Sequence, residues 1–116
     1  MVLTNPTPGK EAEYNERYNK QHIPDVLNVT GFVSAQRFHL ADTQNGGDKK
    51  AYKYLALYEI ETNDLADVFK ELAARRGTAD IVMSDAIDLK GANACAFTPV
   101  AEKVMAKDVT RPRRAA

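Results

Sequence analysis

Tyr14, Tyr18 and His22 recur every four residues, a spacing that stacks them along one side of a helix. Each is a ring with a polar tip. Three such side chains make a poor oily core and a reasonable wall for a small cavity. An imidazole in that wall would act as general acid or base, because its unperturbed pKa of about 6.5 lies near physiological pH. A tyrosine one turn away would donate a hydrogen bond to a developing oxyanion. His22 and Tyr18 are therefore the candidate catalytic residues, in the segment Tyr18-Asn19-Lys20-Gln21-His22-Ile23-Pro24-Asp25. The competing role for His22 is structural, a histidine near a helix end bonded to a backbone carbonyl.

Around this pair, Tyr14 from the same helix and Gln36, Phe38 and Tyr54 from neighbouring strands are the candidate substrate-binding residues. His39, the only other histidine, should point to the opposite face of its strand from Phe38 and Gln36. Two histidines on different elements, with no acidic cluster at ligand spacing, give no case for a metal. No dinucleotide, phosphate-loop, nucleophile-elbow or zinc-helix motif occurs, so no cofactor is expected. Asp85 and Asp88 fall in an expected loop and read as solvated. Cys95, the single cysteine, lies in the apolar run Ala94-Cys95-Ala96-Phe97 and reads as a buried structural thiol.

The elements that must hold these residues follow from local signals. Residues 1–4 read as a short first strand, short enough that a few natural residues are expected before Met1. Thr7 reads as an N-cap with Pro8 at the first helical position. The helix should end near Gln21 or His22, since Pro24 disfavours helical geometry at Ile23, with residues 25–29 forming a further turn. Residues 32–40 and 51–61 read as strands two and three, joined through Asn45-Gly46-Gly47-Asp48 into an antiparallel hairpin. Leu65, Val68, Phe69, Leu72 and Ala73 mark a second helix, capped by Asn63 or Asp64, with Arg75 and Arg76 in its last turn and Gly77 at its stop. One more turn is expected over 80–84 and a last strand over 93–100. The order β-α-β-β-α-β predicts an α+β, ferredoxin-like four-stranded antiparallel sheet with two helices on one face. The hairpin strands are apolar on both faces, so the uncovered face calls for a second copy of the chain.

The 116 residues fit one domain, here 1–104, with 105–116 as a flexible basic tail carrying Arg111, Arg113 and Arg114. Hydrophobic residues at 44% and charged residues at 28% are those of a folded globular chain. Sixteen basic and sixteen acidic residues cancel, which removes the electrostatic case for nucleic acid. No apolar run is long enough for a membrane span and no leader segment is evident, so a cytoplasmic location is the default expectation.

Asn5-Pro6, Gly9-Lys10-Glu11, Tyr14-Asn15, Tyr18-Asn19, His22-Ile23-Pro24-Asp25-Val26-Leu27 and Gly31-Phe32-Val33 resemble the opening of EthD-like members of the dimeric α/β-barrel superfamily. Thr78-Ala79-Asp80, Ser84-Asp85-Ala86 and Phe97-Thr98-Pro99-Val100 look similar too. Similar sequences often carry tryptophan where this chain has Arg17, and this chain has none. The resemblance implies a homodimer whose sheets pack face to face, a pocket between sheet and helices, and a histidine matching His22 as acid–base. It points to a small cofactor-free isomerase, cyclase or lyase acting on a small hydrophobic carbonyl compound, lactone or aromatic compound. The alternatives are a non-catalytic small-molecule-binding or stress-associated protein, and a haem- or oxygen-using monooxygenase.

Overall fold

The structure is a computed structural model that describes residues 1–46 and 52–110. Part of the turn at Asn45-Gly46-Gly47-Asp48, Ala51 at the expected start of the third strand, and Arg111, Arg113 and Arg114 of the basic tail lie outside the described residues. Four strands form one antiparallel sheet: β1 (Val2–Thr4), β2 (Phe32–His39), β3 (Tyr54–Ile60) and β4 (Asn93–Ala94), in the spatial order β2-β3-β1-β4. With a helix in each crossover, this is the α+β ferredoxin-like arrangement.

The first helix starts later and ends later than expected. Thr7 does not cap it. Lys10 N–H bonds Thr7 O at 2.9 Å and Gly9 takes φ +81°, the signature of a type II turn with Pro at its second position and Gly at its third. Thr7 Oγ1 instead donates to Asp85 O at 2.7 Å. The helix then runs as α1 (Glu11–Arg17), a π-helical turn (Tyr18–His22) and α2 (Ile23–Leu27). Pro24 therefore does not stop it. Proline lacks an N–H and its ring clashes with the carbonyl four residues back. The π turn absorbs the misfit, because Ile23 N–H reaches the Tyr18 carbonyl five residues back and every residue from Arg17 to Ile23 whose angles bound these segments stays right-handed helical.

The second helix, α3 (Leu65–Arg75), follows its sequence signals. Asp64 Oδ1 accepts from Asp67 N–H at 3.1 Å, an N-cap bond. Arg76 leaves the helix in extended geometry and bridges to Ile81. Gly31 takes φ +104° at the entrance to β2, where an added Cβ would meet Val68 Cγ2 at 2.9 Å, so only glycine fits under α3. No helix among the described residues is long and apolar enough to cross a membrane.

Three other expectations are corrected. β4 covers only Asn93 and Ala94, not 93–100, and Cys95 is exposed rather than buried. Cys95 still exchanges backbone hydrogen bonds with Met1, at 2.9 Å in each direction, but its side chain and that of Phe97 are left exposed. The chain over 82–84 is irregular where a turn was expected. The core gains from this stretch all the same: Ile81, Ala86 and Ile87 are buried, and Ala86 and Ile87 close over Tyr14, Tyr18 and Ala56. Asp85 is exposed, as read, and pairs with Lys10 at 2.9 Å.

Candidate functional site

The helix places Tyr14, Tyr18 and His22 on one face. Ring centroids are 5.5 Å apart for Tyr14 and Tyr18 and 5.0 Å for Tyr18 and His22, both edge to face. The first two rings are closed core, at 0% and 2% exposure. The Tyr14 hydroxyl is hydrogen-bonded to Thr4 Oγ1, itself buried. Burial pushes the Tyr18 phenol up, and it pushes the neighbouring Tyr58 phenol up more strongly, with Tyr18 adding to the effect. Burial also holds the His22 imidazole below its ordinary value. The Arg76 cation lowers it further, and Asp25 works against both.

Over this tyrosine floor lies Arg37. Residues 35, 37 and 39 of β2 share the face that carries Tyr54, Ala56 and Tyr58 of β3, through the pairs Ala35 with Tyr58, Arg37 with Ala56 and His39 with Tyr54. The guanidinium carbon sits 4.3 Å from the Tyr18 ring centre, 5.1 Å from Tyr14 and 5.3 Å from Tyr54, within cation–π range of all three. Arg37 Nη1 donates to Asn19 Oδ1 at 2.8 Å and Nη2 to Asn15 Oδ1 at 2.9 Å. Asn15 Nδ2 donates to Tyr54 Oη at 3.1 Å, and that hydroxyl donates to Glu11 Oε1 at 3.0 Å. The His39 ring stands edge-on to Tyr54 at 5.0 Å.

These groups border a cavity of about 420 Å³ between the first helix and the sheet edge formed by β2. Asn19, Ile23, Ala35, Arg37, His39 and Tyr54 line it, with Gln36 and Phe38 along the strand. No family model, curated protein or solved structure matches this chain. The site therefore has to be read from its own residues.

Of the residues singled out in the sequence, Tyr54 borders the cavity, Gln36 and Phe38 reach it only along the β2 edge with their side chains on the opposite sheet face, and Tyr14, Tyr18 and His22 are not among its lining residues. The tyrosines lie beneath it as the floor under Arg37, and His22 lies beyond Tyr18, within electrostatic reach of Arg76 and Asp25. The sequence reading passed over Arg37 and Asn19. It placed His39 on the correct side of β2, opposite Phe38, without giving it a role. Strand alternation was the available signal: Arg37 and His39 are two residues apart on a strand that must turn one face to a helix.

Proposed function

We propose that this chain is a small cofactor-free enzyme of the dimeric α/β-barrel type, similar to EthD-like proteins, that moves a proton on a small hydrophobic carbonyl compound, lactone or aromatic compound. The observation that supports this most is the convergence of an imidazole, an amide and a guanidinium on one cavity with an apolar wall from Ile23 and Ala35.

In this reading the acid–base group is His39, because it borders the cavity and His22 does not. His39 takes a proton from the carbon next to a carbonyl and returns it at a second position, which is an isomerisation, or delivers it to a leaving group, which is a lyase step. Asn19 supplies an oxyanion donor. Its Oδ1 is held by Arg37, which leaves its Nδ2 to point elsewhere and donate to the developing oxygen charge. Tyr54, tied at its hydroxyl to Asn15 and Glu11, is a rigid wall that fixes the imidazole edge.

The homodimer belongs to the same proposal. Phe38, Leu57, Leu40 and Val33 remain 36% to 51% exposed, and strand alternation puts Phe38, Leu40 and Leu57 on the sheet face away from the helix. A second copy laid on that face would cover them.

Proton exchange into small ketones and lactones in D2O, followed by NMR, tests the reaction. His39→Gln should abolish exchange while His22→Gln retains it. Exchange lost in His22→Gln and kept in His39→Gln would reverse the assignment.

A further inference from the structure

We infer that the cavity takes an organic anion, with the Arg37 guanidinium as its carboxylate-binding group. This rests on reading the cavity as the functional site and adds the class of ligand.

Arg37 is a half-buried cation whose polar contacts are neutral. Its two hydrogen bonds go to the amide oxygens of Asn15 and Asn19. The ion pairs among the described residues are Lys10 with Asp85, Arg17 with Glu13, Lys20 with Glu16 and Arg75 with Glu71, and Arg37 is in none of them. Glu11, the acidic residue of the same network, is held on the Tyr54 hydroxyl. A guanidinium taken partly out of water without a counter-ion has lost hydration that the tyrosine faces only partly replace.

The donors that remain match a ligand carboxylate. A guanidinium carries five N–H groups in a planar fork, and two are committed here. The fork is held in place: three rings surround its carbon within 5.3 Å and two asparagines hold two of its N–H groups. Such a group binds a carboxylate with charge-assisted hydrogen bonds and little loss of side-chain entropy. Ile23 and Ala35 line the same cavity, so the rest of the ligand should be apolar. A small aromatic or branched carboxylate combines the two.

Benzoate and benzamide, alike in shape and different in charge, are the probes. Calorimetric titration of the full chain should give benzoate an advantage of about tenfold in affinity, the size expected of one charge-assisted contact. Arg37→Gln should erase the advantage. Because Arg37 also packs on three tyrosines, Asn19→Asp is the second variant. It keeps the shape of Asn19 and sets a carboxylate beside Arg37 Nη1, so it should erase the advantage in a folded protein. Equal affinity for the two probes in the unaltered chain, or an advantage that survives Asn19→Asp, would overturn the inference. The binding readout stands apart from proton exchange. Benzoate preference without exchange keeps this inference and removes the proposed reaction. Exchange without benzoate preference does the reverse.

Discussion

The Arg37 guanidinium lies 4.3 Å from the centre of the Tyr18 ring, so a strand residue seals the aromatic face of the first helix. The contact joins the two elements that flank the cavity and makes Arg37 both roof of the core and wall of the site. Arg37→Gln should lower stability by about 1–2 kcal/mol, from lost cation–π contact and two lost hydrogen bonds. Urea unfolding followed by circular dichroism measures it, and an unchanged midpoint would mean that the rings hold the core without the cation.

Tyr14 and Tyr58 carry buried hydroxyls of opposite standing. Tyr14 has Thr4 as a partner, whereas Tyr58 Oη is buried beside the Tyr18 phenol with no well-formed hydrogen bond among the described residues. Tyr14→Phe should therefore cost about 1 kcal/mol, and Tyr58→Phe should be neutral or stabilising, since it removes an unsatisfied polar atom. Parallel thermal melts of the two variants compare them directly. A larger loss from Tyr58→Phe than from Tyr14→Phe would contradict the assignment.

His22 gives stability a pH dependence. Its folded pKa lies below its unfolded value of about 6.5, so just below that pH the unfolded chain binds more protons than the folded one. Stability should then fall as pH drops through that window and flatten once the folded group also titrates. His22→Gln should reduce the slope, read as urea midpoints at half-unit steps from pH 7 down to pH 5.

The open sheet face predicts association. Leu57 is 44% exposed on β3. Sedimentation equilibrium should find a dimer at micromolar concentration and a monomer for Leu57→Lys, because a lysine there would carry its charge into the interface. A monomer in both would remove the dimer.

Much of this architecture could be read from the sequence, for physical reasons specific to each element. Residues 65–75 repeat their apolar side chains at helical spacing behind an aspartate cap, and local chemistry decided that helix. The hairpin strands are apolar on both faces, so pattern does not orient them, but side chains of any strand alternate, which is why His39 fell opposite Phe38. Pro24 misled because a π turn moves the carbonyl that its ring would strike, a solution not visible in residue types. β4 and Cys95 misled because the apolar run over 94–97 has the residue types of a buried strand, whereas Cys95 and Phe97 are exposed. The site was half legible. The four-residue spacing of Tyr14, Tyr18 and His22 located the helix face, but whether that face lines a cavity or fills a core depends on what covers it. Arg37 packs over its two tyrosines alongside Ala86 and Ile87, a contact between a strand and a helix, with Tyr14 twenty-three residues before Arg37, that residue types alone do not announce.

The central claim is that the working site is the cavity between the first helix and β2. The most direct measurement is a two-dimensional 1H–15N NMR map of the chain titrated with small ketones, lactones and aromatic acids. Shifts concentrated at Asn19, Ile23, Ala35, Arg37, His39 and Tyr54 are the predicted result. Shifts concentrated instead on the outer side of the first helix, in the groove of Glu13, Glu16, Arg17 and Lys20, would contradict it.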